Sequence, residues 1–379
     1  MKPRLFTPGP TPVPEDVTLA MAAPMPHHRT PEFQAIMQRT TELLQRIYRT
    51  EDPVVLLAAS GTGAMEAAVV NLTLPGEKVV SVNAGKFGGR WGELLRTYGR
   101  DVHEVKVPWG QPGSPEDVLG AMQESGAQAV FVTHSETSTG ALCDLQQIAF
   151  VARQAGVLLV VDAITSLGAH RLETQQWGLD CVVGGSQKAF MLPPGLAFLS
   201  LSARARERLR ENPTPRYYFD LGRALHVAPK QSPWTPAITL VMGLERGCQR
   251  ILDEGLERVW LRHQILADAV RAGVEVLGLR VLAARPSNAV TAAFVPEKVD
   301  ADGLRETLWK QYRIKVAGGQ DQLKGKIIRI GHLGDYDRTD VVTLLAVLEE
   351  ALRSLGHAPL AQGAALAAAH AILARLDSK

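Results

Sequence analysis

The lysine in "CVVGGSQKAF", residues 181–190, follows an apolar run and a glycine-rich turn, and its type and place suit covalent chemistry. Cys181-Val182-Val183 reads as a short buried strand, and Gly184-Gly185 bends the chain out of it. Lys188 then either snorkels to water as an ordinary surface residue or is held near the core. In the second case desolvation lowers its pKa and frees the amine as a nucleophile. Three other stretches end the same way, a strand giving out into a polar turn. In "LLAASGTGAMEAAVVN" (56–71) a strand ends at Ala59 and a helix opens near Ala64. Ser60, Gly61 and Thr62 thereby offer free N–H groups and two hydroxyls to a phosphate, although a tight turn alone would also call for the glycines. No Lys-Ser/Thr pair follows them, so this is no Walker loop, and Glu66 stands where a dinucleotide fingerprint needs a third small residue. "VLLVVDAITSLGA" ends the most apolar strand at Asp162, a carboxylate that is functional, paired, or a cap for the next helix. "FVTHSETSTGAL" (131–142) supplies His134, Glu136, Thr137, Ser138 and Thr139, with no second metal ligand at a useful spacing.

The elements that must position these residues alternate between strand and helix. Strands are expected at 54–59, 78–83, 101–107, 129–134, 157–163, 181–185 and 196–201, with helices at 32–49, 63–73, 88–98 and 144–155. Near-continuous apolar strands between helices argue for a mostly parallel sheet covered on both faces, with ligands at the carboxyl ends of its strands. The first 31 residues hold eight prolines and read as an extended arm, assigned to 1–16. After Pro236 comes one long helical stretch, 237–277, and then short strands at 279–283, 289–296, 312–317 and 326–332, with helices near 300–311 and 339–355. The expected organisation is an N-terminal arm (1–16), a large domain (17–255), a smaller α+β domain (256–357) and an alanine-rich helical tail (358–379).

Taken together, the turns ask for one ligand. It has a phosphate at 60–62, an aromatic ring near Thr137, a ring nitrogen facing Asp162 and a carbonyl reacting with Lys188. Pyridoxal phosphate has those parts, and it needs a carboxylate on its ring nitrogen to act as an electron sink.

The motifs "TPGPT", "SGTGAMEAA", "THSETSTG", "VVDAITSLGA", "GGSQKAF" and "IIRIGHLG" resemble, in order, those of class V pyridoxal-phosphate aminotransferases, above all the alanine–glyoxylate and serine–pyruvate group. The likeness runs from about residue 5 to about residue 355. It implies an α/β fold of type I, with a mostly parallel seven-stranded sheet between helices, a smaller C-terminal α+β domain, and a homodimer with shared active sites. It also implies that Ser60, Gly61 and Thr62 hold the phosphate, that Asp162 pairs with the ring nitrogen, and that Thr137 and Gln187 reach the ring or its substituents. Ile164 would cover one ring face. Phe87 stands where relatives often carry a tryptophan, which keeps the stacking and loses an indole N–H. Thr235, or Trp234 beside it, would act on the neighbour's cofactor. Arg329 would clamp the substrate carboxylate as a bidentate fork. Gly9 and Pro10 would lie near the substrate, with His28 and Arg29 at the entrance, where Arg29 would favour an acidic donor.

The activity implied is ping-pong transfer of an amino group from a small amino acid, alanine or serine, to a 2-oxo acid, glyoxylate or pyruvate. Phosphoserine and aspartate are the alternative donors. A pyridoxal-phosphate lyase of the cysteine desulfurase kind needs a cysteine on an exposed mobile loop. Cys143, Cys181 and Cys248 fall instead in a buried strand and at helices. A nicotinamide oxidoreductase lacks its fingerprint here, and a non-catalytic paralogue has no reason to keep Lys188, Asp162 and Arg329 together. With 379 residues, a net charge of +2 and no dense basic run, neither a nucleic-acid partner nor a metal is expected. The sequence has no run of about 20 apolar residues for a membrane span. Three scattered cysteines and a start without a signal-like segment point to the cytoplasm.

Overall fold

The computed structural model describes residues 2–357 and 361–377. Met1 of the expected arm and residues 358–360, 378 and 379 of the expected tail lie outside the described residues.

Seven strands form the main sheet, in the order Val54–Leu57, Ala197–Leu201, Cys181–Gly185, Leu158–Asp162, Ala129–Thr133, Lys78–Asn83 and Asp101–Lys106. The strand Ala197–Leu201 runs antiparallel to both its neighbours, and every other pairing is parallel. Valine dominates these strands, since β-branched side chains pack well on a pleated surface. Alternate residues serve opposite faces: Val55, Val79 and Val160 enter one apolar core, while Val54, Val80 and Val161 enter another. Each such fully buried side chain contributes about 1.5–3 kcal/mol, so neither face tolerates exposure. Leu158–Asp162 is the middle strand, which brings Asp162 to the centre of the sheet's carboxyl edge.

A second, five-stranded sheet has the order Arg4–Phe6, Ile314–Gly318, Ile327–Gly331, Val290–Phe294 and Arg280–Val281. Its core includes Leu266, Val270 and Val274 of the helix Leu256–Val276, and Leu344, Leu345 and Leu348 of the helix Arg338–Ser354. The alanine-rich helix Ala364–Leu373 sets Ala365, Ala369 and Leu373 into the same core, the two small alanines allowing close approach.

Three sequence expectations change. The N-terminal segment is extended at Arg4–Phe6, where it pairs in parallel with Ile314–Gly318, but not throughout, because a helix runs over Glu15–Ala22. Proline is tolerated just before a helix start, and Pro14 occupies that cap position. The stretch 237–277 is two helices, Ile238–Glu254 and Leu256–Val276, broken at Gly255. Finally, a two-residue hairpin, Ser135–Glu136 with Ala141–Leu142, folds the polar turn after Ala129–Thr133 back on itself.

Candidate active site

Ser60, Gly61, Thr62, Phe87, Thr137, Asp162, Ile164, Gln187 and Lys188 line one cavity of about 110 Å³ at the carboxyl ends of the central strands, together with Arg90, Ser135 and Thr165. A larger hollow of about 540 Å³, bordered by Arg49, His134, Trp177 and Trp260, holds none of the expected site residues. Chemistry rather than size marks the smaller one.

Each wall follows from local structure. Gly61–Leu72 begins its helix immediately after the turn, and the Ser60 side chain caps none of its N–H groups. The first donors of that helix are therefore left for a ligand. On the opposite side, the helix Lys86–Thr97 has its N-terminus filled by Glu136, whose carboxylate accepts the Phe87 N–H at 3.1 Å and the Gly88 N–H at 2.8 Å. The same carboxylate accepts the Ser138 hydroxyl at 2.6 Å. Glu136 thus fixes Phe87 over the cavity, a role its sequence setting did not reveal.

Asp162 is 5% exposed, and its Oδ1 accepts the Ile164 N–H at 2.9 Å. Burial pushes its carboxyl up to about 6, and the Glu136 charge adds to this. The Ile164 bond and the Lys188 and Arg90 cations pull it back. Lys188 donates from Nζ to the Pro8 carbonyl at 2.6 Å. Burial brings its amine down to about 8; Asp162 opposes that shift and Arg329 reinforces it. The Thr11 hydroxyl donates to the Lys188 carbonyl at 2.8 Å, so the N-terminal segment holds this lysine by both its head and its backbone. A Cβ on Gly9 would stand 2.5 Å from Lys188 Nζ, which is why glycine is required where the segment passes the amine. Pro10 follows it, its carbonyl accepting the Thr7 hydroxyl.

Arg329, on the strand Ile327–Gly331, is 8% exposed. Its Nε donates to the Gly318 carbonyl at 2.8 Å and its Nη1 to the Thr137 carbonyl at 3.0 Å. Burial lowers it to about 10, against the pull of Glu136. The bond to Thr137 sets it beside the cavity wall. Thr235 and Arg29 are exposed and stand outside that wall, as does Trp234, whose indole N–H donates to the Tyr218 carbonyl at 3.0 Å. Of the three cysteines, all are buried and unpaired, and burial raises the Cys143 thiol to about 12.

The sequence named Glu136 without its task and gave Arg90 and the Pro8 carbonyl none. Arg90 had one legible signal: it lies three residues after Phe87 on a helix, which puts both on one face.

The Aminotransferase class-V family matches residues 5–332. A relative from Synechococcus sp. named "Soluble hydrogenase, small subunit" is 43% identical over 98% of each chain. A protein of Paracoccus denitrificans named L-aspartate–glyoxylate aminotransferase is 37% identical, over 96% of this chain and 94% of its own. Among solved structures, an alanine–glyoxylate aminotransferase from Nostoc sp. superposes with a TM-score of 0.89 at 31% identity, over 93% of this chain and 96% of that one.

Proposed function

Because the chain belongs to the class V aminotransferase family and is a pyridoxal-phosphate-dependent transaminase, we propose that it moves an amino group from a small amino acid, alanine or serine, to glyoxylate or pyruvate. The observation that carries this reading is the meeting of Lys188, Asp162 and the open helix start at Ser60–Thr62 around a single cavity.

The residues fit the cofactor. Gln187 Oε1 is buried without a protein partner, the Ser60 hydroxyl leaves the helix N–H groups free, and Asp162 offers a buried carboxylate. Bound pyridoxal phosphate supplies a carbonyl for an amine and a protonated ring that draws electrons from the bond broken at Cα. The protein does the rest. Gly61 and Thr62 would donate N–H groups to the cofactor's phosphate, and Asp162 would keep its ring nitrogen protonated. Phe87 and Ile164 would hold its ring, and Thr137 and Gln187 would offer it polar contacts, since all four line the cavity. Arg329 would hold the donor's α-carboxylate in a fork and so orient the donor in the site. The Lys188 amine, neutral above about pH 8, would be the base that takes the proton from the donor's Cα and gives it up again within the site. With water consumed, the donor would leave as its own 2-oxo acid while its amino group stays with the cofactor, and the acceptor 2-oxo acid would then take that group up by the reverse route.

The same reading extends to the assembly and the compartment. A homodimer with shared sites is supported by Tyr217 and Tyr218, 67% and 47% exposed, which stack on Trp234 beside Thr235. In that dimer Thr235 serves the neighbour's phosphate and Arg29 the donor's entrance. Buried free thiols and the lack of a membrane-crossing helix among the described residues support a cytoplasmic protein. The divisions 1–16, 17–255, 256–357 and 358–379 remain our assignment of its parts.

The decisive experiment is an absorption spectrum of purified protein with pyridoxal phosphate, before and after alanine, serine, aspartate and phosphoserine. A visible band that shifts with alanine or serine and is missing in Lys188→Ala carries the proposal. A band that moves only with aspartate reassigns the donor, and a protein that stays colourless ends the transaminase reading.

A further inference from the structure

Arg90 is the guanidinium on the wall of the cofactor cavity, and the family motifs gave it no task. Its Nη1 donates to the Thr62 hydroxyl at 3.0 Å, and its Cζ lies 4.9 Å from the centre of the Phe87 ring. No carboxylate stands within ion-pair distance of it among the described residues, whereas most other arginines around the molecule have one. An unpaired cation held between a phosphate-type helix start and an aromatic wall suits an anionic ligand.

We propose that Arg90 is a positioning residue for the cofactor's phosphate, acting by turning the Thr62 hydroxyl proton toward that group. The argument is one of donors and acceptors. A threonine hydroxyl has one proton and two lone pairs. Arginine has donors only, so the Thr62 oxygen accepts from Arg90 and its own proton must point elsewhere. Thr62 is the second residue of the helix Gly61–Leu72, and its N–H is among those left free at that end. The hydroxyl proton and the helix N–H groups then meet the same anion. Stacking on Phe87 fixes the plane of the guanidinium, so little side-chain freedom remains to be lost when the phosphate arrives. The Arg90 charge also reaches across the cavity, since it lowers the Asp162 carboxyl.

This assignment rests on the cavity being the pyridoxal phosphate site, and the test separates the two. The full chain, stripped of cofactor, is titrated with pyridoxal phosphate and, separately, with pyridoxal, which lacks the phosphate. Arg90→Gln is expected to weaken pyridoxal phosphate about 10- to 100-fold, as the loss of a charge-assisted contact does, and to leave pyridoxal within about 2-fold. Arg90→Lys, which keeps the charge and loses the fork, should recover only part. In the double variant with Thr62→Val the loss should fall short of the product of the two single losses, because one residue acts through the other. The ³¹P resonance of the bound phosphate should move in Arg90→Gln as well, a change that a merely structural arginine would not cause. Equal weakening of pyridoxal and pyridoxal phosphate, or no weakening of either, overturns the assignment. A wild-type chain that binds pyridoxal as tightly as pyridoxal phosphate removes the cofactor reading along with it.

Discussion

Lys188 and Arg329 are both cations withdrawn from water beside one cavity, yet the fold holds them in opposite ways. Lys188 has one acceptor for its amine, the Pro8 carbonyl, and sits on a turn between the main-sheet strands Cys181–Gly185 and Ala197–Leu201. Arg329 sits inside a strand of the small sheet and is bound by two carbonyls, one from Gly318 in its own sheet and one from Thr137 in the polar turn of the other. Burial lowers both, the lysine to about 8 and the arginine to about 10. The first value lies within reach of neutral pH, and the second does not. Each falls by a similar amount from its own ordinary value, so the lysine comes into a range where it can give up its proton and the arginine keeps a fixed charge. One residue is built to change state and the other to stay.

The largest expected effect attacks the fixed charge. Arg329→Ala removes the carboxylate clamp and strands the Gly318 and Thr137 carbonyls, at a stability cost of about 1–3 kcal/mol. The kcat/KM for the amino donor should fall about 100-fold or more, mostly through KM, and Arg329→Lys should restore little of it because an ammonium cannot fork. Steady-state kinetics and thermal unfolding read the two parts. An unchanged donor KM would make Arg329 a strut between the sheets and erase its half of the contrast.

Next in size is a change that reaches Lys188 from behind. A Cβ on Gly331 would run into the backbone of Thr7 and Pro8, which cannot shift without moving the Pro8 carbonyl off Lys188. Gly331→Ala should cost about 1–3 kcal/mol by overpacking, read by chemical denaturation. It should also free the amine and let it deprotonate at lower pH. A destabilised variant with an unmoved Lys188 titration would mean that the Pro8 carbonyl does not tune the base.

The titration itself is the third prediction. Cofactor capture by the stripped chain should speed up with pH, with its midpoint near 8, and level off above that as the Lys188 amine becomes fully neutral. Asp162→Asn removes the anion that holds this amine up, so the midpoint should move down. For stability the signs follow from proton counting. The folded chain releases the Lys188 proton at about 8 and the unfolded chain at about 10.4, so this group makes stability rise with pH across that window. Asp162, raised to about 6, does the reverse: its contribution falls as pH climbs from about 4 to 6.

The sequence carried the cavity almost whole, because each wall is a strand end followed by a turn, and both are local patterns. Lys78–Asn83 and Cys181–Gly185 fall at their expected bounds for that reason. What stayed hidden depends on contacts between distant segments. Arg4–Phe6 is a strand only because Ile314–Gly318 offers it an edge, some 310 residues away by chain number. The task of Glu136 depends on a helix start at Lys86–Thr97, and the Pro8 carbonyl means nothing until Lys188 lies beneath it. Gly255 splits a helical stretch whose apolar period continues on both sides, so only the fold reveals the break.

The smallest effect concerns a second link between the two sheets. Lys86, at the start of the helix that carries Phe87, reaches Asp321 beyond the strand Ile314–Gly318 at 3.3 Å. It spans the same gap as the Arg329 bond to Thr137, but its side chains are 38% and 51% exposed, and water shares the pair. Exposed pairs of this kind are worth roughly 0.2–1 kcal/mol and weaken with salt. A double-mutant cycle of Lys86→Ala and Asp321→Ala should return a coupling in that range, falling further at high ionic strength. Donor KM should move no more than about 2-fold. A larger, salt-resistant coupling would mean that the exposed pair, and not Arg329, holds the small sheet over the cavity.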